Sequence, residues 1–355
     1  MQEFICRTRI VMGTGAINIL SELKDQRLFV VADPFFSQNG WADRIGKLAG
    51  AYEIFDHITP DPSVELVAEG LARLQSFQPD AIAALGGGSA MDCAKAIACF
   101  SEKALPLIAI PTTSGSGSEV TDFSILTHNG VKHPLIDPKM CPETAILEEA
   151  LLRQLPPSLI ADCGFDIVAH ALEGYVGQNA TPITDALALE ALHTVFGLLP
   201  ASFEGDQEVR PALHIASTMA GLAFNQAGLG LCHALSHALG GQFHLPHGRL
   251  NAILLPAVIS CNNTAKYATL SRRLGLGGSS DLIAIRSLKN ALVRLRSRLK
   301  LPATLTEAGV DAATLAAKSE EIIAAALADP CCATNPIPVT EAMVHQVLLG
   351  VAGRG

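Results

Sequence analysis

Three things are scarce in this 355-residue chain, and each absence removes a class of function. Basic residues are few: 25 Lys and Arg stand against 34 Asp and Glu, a net charge of −9. Phosphate-backbone and anionic-surface binding need clustered cations, so nucleic acid and membrane surfaces are not expected partners. No uninterrupted apolar run reaches the roughly 18 residues that span a bilayer. The start of the chain, with Glu3, Arg7 and Arg9 close together, has no apolar core and no cleavage site, so no signal peptide is read. The nine cysteines include no Cys-x-x-Cys pair, which argues against a disulfide framework and a thiolate zinc site. A cytoplasmic protein with reduced thiols is expected.

What is abundant is apolar material, 49% of the chain, enough for about two domains. Up to Pro156-Pro157, short apolar runs alternate with helical stretches. Leu28–Ala32, Asp80–Leu85 and Leu105–Ile110 read as buried strands, with helices over Val64–Gln75 and Ala90–Phe100. Strand alternating with helix predicts an open parallel sheet covered on both faces. Beyond Pro157 the strand signals stop. Helices are predicted over Ile160–Val176, Thr184–Leu199, Arg210–Asn225, His233–Gly240, Ser280–Leu299 and Asp311–Leu327. The reading is an α/β domain with a Rossmann-like parallel sheet over residues 1–155 and an all-α domain over residues 156–355, with a ligand cleft expected at their junction.

In the first half, Gly86-Gly87-Gly88-Ser89 follows a strand and opens a helix. Glycines let backbone approach a phosphate, and the next helix turns its free N–H groups towards it. Ser89 and Asp92 have the spacing of a capping pair. A plain strand-to-helix turn is the competing reading. Pro111 to Glu119, rich in hydroxyls and glycine, follows the next strand, and ligands in such sheets bind at that edge. Asp33 ends the first strand. It could receive a ribose 2′-hydroxyl, or could simply open a turn before Pro34. Gly13-Thr14-Gly15 lacks the third glycine of a dinucleotide fingerprint and reads as a turn into a helix.

In the second half, Asp166 and His170 are four apart and share a helix face, as are His233 and His237, with His244 and His247 close behind. Such ligands suit Fe2+, Zn2+ or a similar divalent ion, but spacing alone does not choose among the histidines. A nicotinamide cofactor together with a Lewis acid is the equipment of a dehydrogenase.

Several stretches, in order, resemble signatures of the iron-containing (group III) alcohol dehydrogenases. They are Gly86-Gly87-Gly88-Ser89-x-x-Asp92-x-x-Lys95, Pro111-Thr112-Thr113-x-Gly115-x-Gly117-Ser118-Glu119, Gly164-x-Asp166-x-x-x-His170-Ala171-x-Glu173, Gly228 to Gly240, and Pro246-His247-Gly248-x-x-Asn251-Ala252. Thr59-Pro60-Asp61-Pro62 and Gly240 to Gly248 resemble the propanol and ethanol dehydrogenases of propanediol- and ethanolamine-utilisation pathways. The resemblance implies a dehydroquinate synthase-like fold and NAD(H)-linked reduction of propionaldehyde or acetaldehyde to the primary alcohol. It implies Asp166, His170, His233 and His247 as metal ligands, with Fe2+ expected and Zn2+ the alternative. It places His237 beside the nicotinamide as a proton-transfer residue, and Asp33 at the position linked to NAD preference. Gly87, Gly88, Ser89, Thr112, Thr113, Ser116, Asp61 and Lys132 match cofactor contacts, and Phe224 a position shaping the substrate pocket. It also implies a homodimer, and packaging with shell or enzyme partners in a bacterial microcompartment. The alternatives are a same-fold reductase of the maleylacetate or glycerol type and a catalytically silent microcompartment component. Glu148-Glu149 stands where the family usually has Asp-Pro and is expected to alter only a turn. Asn263 to Leu301 reads as shorter than in longer members of that family.

Overall fold

Strands that are apolar along their whole length must be covered on both faces. In the computed structural model, which describes residues 3–128, 131–262 and 264–353, that demand is met by a six-stranded parallel sheet. The strands are β1 (Arg9–Met12), β2 (Arg27–Ala32), β3 (Ala51–Phe55), β4 (Ala81–Gly86), β5 (Leu107–Pro111) and, after an antiparallel hairpin of β6 (Phe123–His128) and β7 (Val131–Ile136), β8 (Thr144–Leu147). Their spatial order is β1-β8-β5-β4-β2-β3. Leu28, Val30 and Ala32 of β2 pack on one side with Ala83, Leu85 and Ile110. Phe29 and Val31 pack on the other with Ile82, Ala84 and Ile97. The helices of this unit are α1 (Pro34–Gln38), α2 (Trp41–Gly46), α3 (Val64–Phe77) and α4 (Gly88–Phe100). The sequence reading missed the edge strands β1 and β3, which are only partly buried, and also β8 and the hairpin.

The order in which strands are added reverses at β2, with β3 on one side and β4 on the other. Such a switch point opens a crevice at the carboxyl ends of the strands. Asp33 and the Gly86–Gly88 turn occupy those ends, joined by the Asp33 amide donating to the Leu85 carbonyl at 2.8 Å.

The chain divides into two compact units, the first Ile5–Leu155 and the second from Pro156 onward. The described residues of the second form α5 (Pro157–Val176), α6 (Pro182–Phe203), α7 (Arg210–Ala227), α8 (Leu231–Phe243), α9 (His247–Asn262), α10 (Ala265–Arg273), α11 (Asp281–Arg298), α12 (Ala312–Ala317), α13 (Ser319–Ala328) and α14 (Glu341–Val351). Asp311–Leu327, read as one helix, is two, because the chain breaks at Lys318. The stretch noted as short begins at Asn263, outside the described residues. Helix α5 is buried on nearly every side, packed against α6, α7 and α9. A helix apolar all round belongs in a core, and this one carries the polar residues of the site inside it.

Two expectations are corrected. Counting uninterrupted apolar residues overlooked α6, which is long and apolar enough to cross a membrane, with mean hydropathy 1.4. Its Ala188, Ala191, Leu192, Val195 and Leu199 are buried, the pattern of a core helix packed between α5 and α7. Glu148 is not a mere turn residue. It is buried, and its carboxylate accepts from the amides of Gly15, Ile17 and Ala150, each at 3.2 Å, fixing the short 3-10 helix Ala16–Leu23. Glu148→Ala leaves those buried amides without a protein acceptor and is expected to lower stability by about 1–3 kcal/mol, read from urea denaturation of the full chain.

Candidate metal centre and nucleotide edge

The ligand cluster of the helical unit is built from one helix face outward. Asp166 and His170 lie one turn apart on α5, and Glu173 continues the same stripe. Helix α8 contributes His233 and His237, and α9 opens with His247. One potential ligand atom each from Asp166, His170, His233 and His247 falls within a set whose members all lie within 4.8 Å of one another. The rings of His170 and His233 stack at 4.6 Å between centroids, and His247 Nε2 lies 3.6 Å from Asp166 Oδ1.

Each member is held from behind. His233 Nδ1 donates to Glu173 Oε2 at 2.6 Å, and that carboxylate also accepts from the amides of Gly230 (2.9 Å) and Cys232 (2.8 Å) at the start of α8. Asp166 Oδ1 accepts from Asn251 Nδ2 at 2.8 Å, and Asn251 Oδ1 in turn accepts from Ser236. Phe224, expected to shape a substrate pocket, is buried and stacks on His170 at 4.3 Å, so it supports that ring. Arg249 grips Asp162 through two bonds of 3.1 and 2.9 Å, tying α9 to α5. Gly248 makes the contact between these helices close: a Cβ there would sit 1.8 Å from the Asp162 carbonyl oxygen.

The electrostatics fit a cation. Burial pushes Asp166 up to about 7, with the Asn251 hydrogen bond working against it. Burial likewise raises Glu173 to about 7 against its backbone donors. Burial, reinforced by His170 and His237, holds His233 well below the ordinary histidine range, so it is a neutral imidazole. With Nδ1 committed to Glu173, His233 Nε2 remains buried with no hydrogen-bond partner among the described residues. A lone pair desolvated in this way, next to a buried carboxylate, suits a divalent metal, and imidazole backed by carboxylate is the usual outer-shell arrangement.

His237 stands beside this set, its ring 5.2 Å from that of His247. Its Nδ1 is 2.8 Å from Asp329 Oδ2. His244 lies apart, ending α8 in the left-handed conformation. Sequence reasoning named Glu173 and Asn251 within motifs but gave them no role. The three-residue step from His170 to Glu173 was a usable signal. Asp329 offered none, being 92 residues from its partner.

At the carboxyl edge of the sheet, the two glycine- and hydroxyl-rich loops meet. The Thr112 amide donates to the Gly86 carbonyl at 3.0 Å. A Cβ on Gly87 would lie 3.2 Å from Thr113 Oγ1, and one on Gly88 3.8 Å from Ser116 Cβ. Helix α4 starts after Gly87 with no side-chain cap, so Ser89 and Asp92 do not form the expected capping pair, and the first amides of the helix keep no capping side chain. Asp33 caps α1, its Oδ1 accepting from Phe35 N at 2.9 Å, which leaves Oδ2 for another donor. Lys132 Nζ and Asp61 Oδ1 pair at 2.7 Å. Lys95 points inward: its Nζ donates to Thr121 Oγ1 and the Phe123 carbonyl, anchoring α4 to the start of the hairpin.

Comparison with known proteins agrees over both units. The family description "Iron-containing alcohol dehydrogenase" matches residues 7–149, and its C-terminal counterpart matches residues 160–351. The chain belongs to the iron-containing alcohol dehydrogenase family. It is 38% identical to the 1-propanol dehydrogenase PduQ of Salmonella typhimurium, over 98% of this chain and 99% of that one. It is 34% identical to the NADPH-dependent butanol dehydrogenase of Clostridium saccharobutylicum, covering 95% and 94% of the two chains. The iron-containing alcohol dehydrogenase of Thermococcus thioreducens superposes with a TM-score of 0.91 at 35% identity, over 98% of this chain and 99% of that one. The fold expected from sequence, a Rossmann-like parallel sheet with a helical C-terminal region, is the family's fold.

Glu173→Gln keeps the shape but weakens the acceptor behind His233. It is expected to lower metal affinity about 10- to 100-fold, measured by retained metal after dialysis against a graded chelator series. Gly248→Ala drives a methyl group into the α5 backbone and is expected to cost at least about 1–3 kcal/mol in thermal or denaturant unfolding, and to reduce metal retention with it.

Proposed function

We propose that this chain is a metal-dependent, NAD(H)-linked dehydrogenase that reduces short aldehydes, propionaldehyde and acetaldehyde among them, to primary alcohols. The observation that carries the reading is the buried set Asp166, His170, His233 and His247, with a desolvated His233 Nε2 and a carboxylate behind the same ring. These four residues would hold the ion, Fe2+ by the family's name and Zn2+ by the same ligand chemistry. When bound, the ion supplies Lewis-acid polarisation of the carbonyl oxygen, and the reduced nicotinamide supplies hydride.

The chain's own residues do the rest. The Gly86–Ser89 turn offers uncapped backbone amides to the pyrophosphate, with Thr113 and Ser116 alongside. Asp33 Oδ2 is available to a ribose hydroxyl and repels a 2′-phosphate. The relative from Clostridium saccharobutylicum is named as NADPH-dependent, so this discrimination rests on Asp33 and its surroundings. His237, its Nδ1 engaged by Asp329, keeps Nε2 to hold and pass the proton that completes the alcohol. Asp166 offsets the positive charge at the centre and is itself kept in place by Asn251.

The direct test is anaerobic NADH oxidation with propionaldehyde, using apo-protein reloaded separately with Fe2+ and Zn2+. Turnover that appears with one metal and disappears on chelation is expected. No turnover with either metal, across acetaldehyde and butyraldehyde as well, would reject the substrate class. His233→Ala should lose metal and turnover together. Asp33→Gly should narrow the preference for NADH over NADPH, and an unchanged ratio of kcat/KM values would remove Asp33 from that role.

A further inference from the structure

Beside the four-residue centre lies a second group of metal-ligating chemistry, drawn from α8 and from the 3-10 turn Pro330–Thr334. One ligand atom each of His237, Asp329 and Cys331 lies within 4.8 Å of the other two. The group is sheltered, with side-chain exposures of 16% for His237 and 9% for Asp329. Asp329 organises it: one carboxylate oxygen meets His237 Nδ1 at 2.8 Å, and the other accepts from the Cys331 amide at 2.8 Å. The Cys331 sulfur lies within 4.8 Å of a ligand oxygen of the same carboxylate. Imidazole, carboxylate and thiol brought this close are a donor set for a borderline-soft divalent ion, and unlike the all-nitrogen-and-oxygen centre next to it, this set contains sulfur.

We propose that His237, Asp329 and Cys331 form a second, inhibitory site for a thiophilic divalent cation such as Zn2+ or Co2+. In the metal-free form, two protons occupy this place, one between His237 and Asp329 and one on the Cys331 thiol. Binding releases the thiol proton to solvent and displaces the imidazole proton from Nδ1 to Nε2, and the cation takes over the charge balance of the carboxylate and the thiolate. His237 bound through Nδ1 then carries its remaining proton on Nε2 and has no lone pair there to accept another. The proton relay stops although the first centre is intact. This consequence for turnover rests on the relay role proposed for His237. The binding itself does not.

Co2+ separates the two sites by spectroscopy. The first centre has no sulfur ligand, so a thiolate-to-cobalt charge-transfer band can arise only from the second. Anaerobic titration of the full-length apo-protein should show two equivalents bound, with that band growing only with the second. Cys331→Ser should lose the band and the second equivalent while binding the first as before, which also shows that the variant is folded. Cys332→Ser should keep both. A single equivalent with no band, or a band that survives Cys331→Ser, overturns the proposal. Doubly loaded enzyme should turn over propionaldehyde about 100-fold more slowly than singly loaded enzyme, the size of a general acid–base contribution. Two equivalents with the band but undiminished turnover would overturn the inhibitory role and remove His237 from the relay, leaving the metal-dependent dehydrogenase reading intact. A first equivalent that supports no turnover at all would count against that reading instead.

Discussion

The helical unit is organised around a carboxyl group placed where water cannot reach it. Glu173 is buried in the last turn of α5, and among the described residues no lysine or arginine pairs with it. It is tolerated because the first amides of α8 and the ring of His233 all point at it. A helix N-terminus carries partial positive charge, and a buried carboxylate accepting several N–H bonds is the arrangement in which that charge counts most. The same contact fixes where α8 begins, which way His233 faces and which of its nitrogens is left over. The positions of His237 one turn on, and of Ser236, which holds Asn251 and through it Asp166, follow from that anchor.

The two halves divide the chemistry by the way they are built. The parallel sheet offers backbone: loops at adjacent strand ends, amides of an uncapped helix, and one carboxylate at the switch point. The helical unit offers side chains, projected inward from helices that pack almost backbone to backbone at Gly248. Backbone suits a phosphate, whose shape and charge are always the same. Convergent side chains suit an ion that needs a defined set of donors.

Much of this was legible in the sequence because it is local. Strand-to-glycine transitions exposed β2, β4 and β5, and the four-residue step exposed Asp166–His170 and His233–His237. What escaped had no local signature. The short strands β1 and β3 lie at the sheet edges with mixed burial, so neither alternation nor a full apolar run marks them. The hairpin of β6 and β7 is anchored by Lys95, a residue that reads as a surface helix position. Glu148 looked like a turn substitution because its partners, Gly15 and Ile17, are more than a hundred positions away. Asp329 and Cys331 reach His237 across a similar separation.

One such long-range contact bears on the order in which the helical unit is assembled. Asn335 is buried, and its side-chain oxygen accepts from the Leu231 amide at the head of α8, while its amide group is held by Asn262 and the Ile337 carbonyl. The turn that leads to it also carries Asp329. During synthesis the sheet unit, and every one of the four ligands, leaves the ribosome before this segment does. The sheet unit can therefore mature on a nascent chain, whereas the helix presenting His233 and His237 gains this fastening only after the segment around Asn335 has been made. By the order in which the amino acids are joined, the head of α8 is fastened after the sheet it follows in the chain.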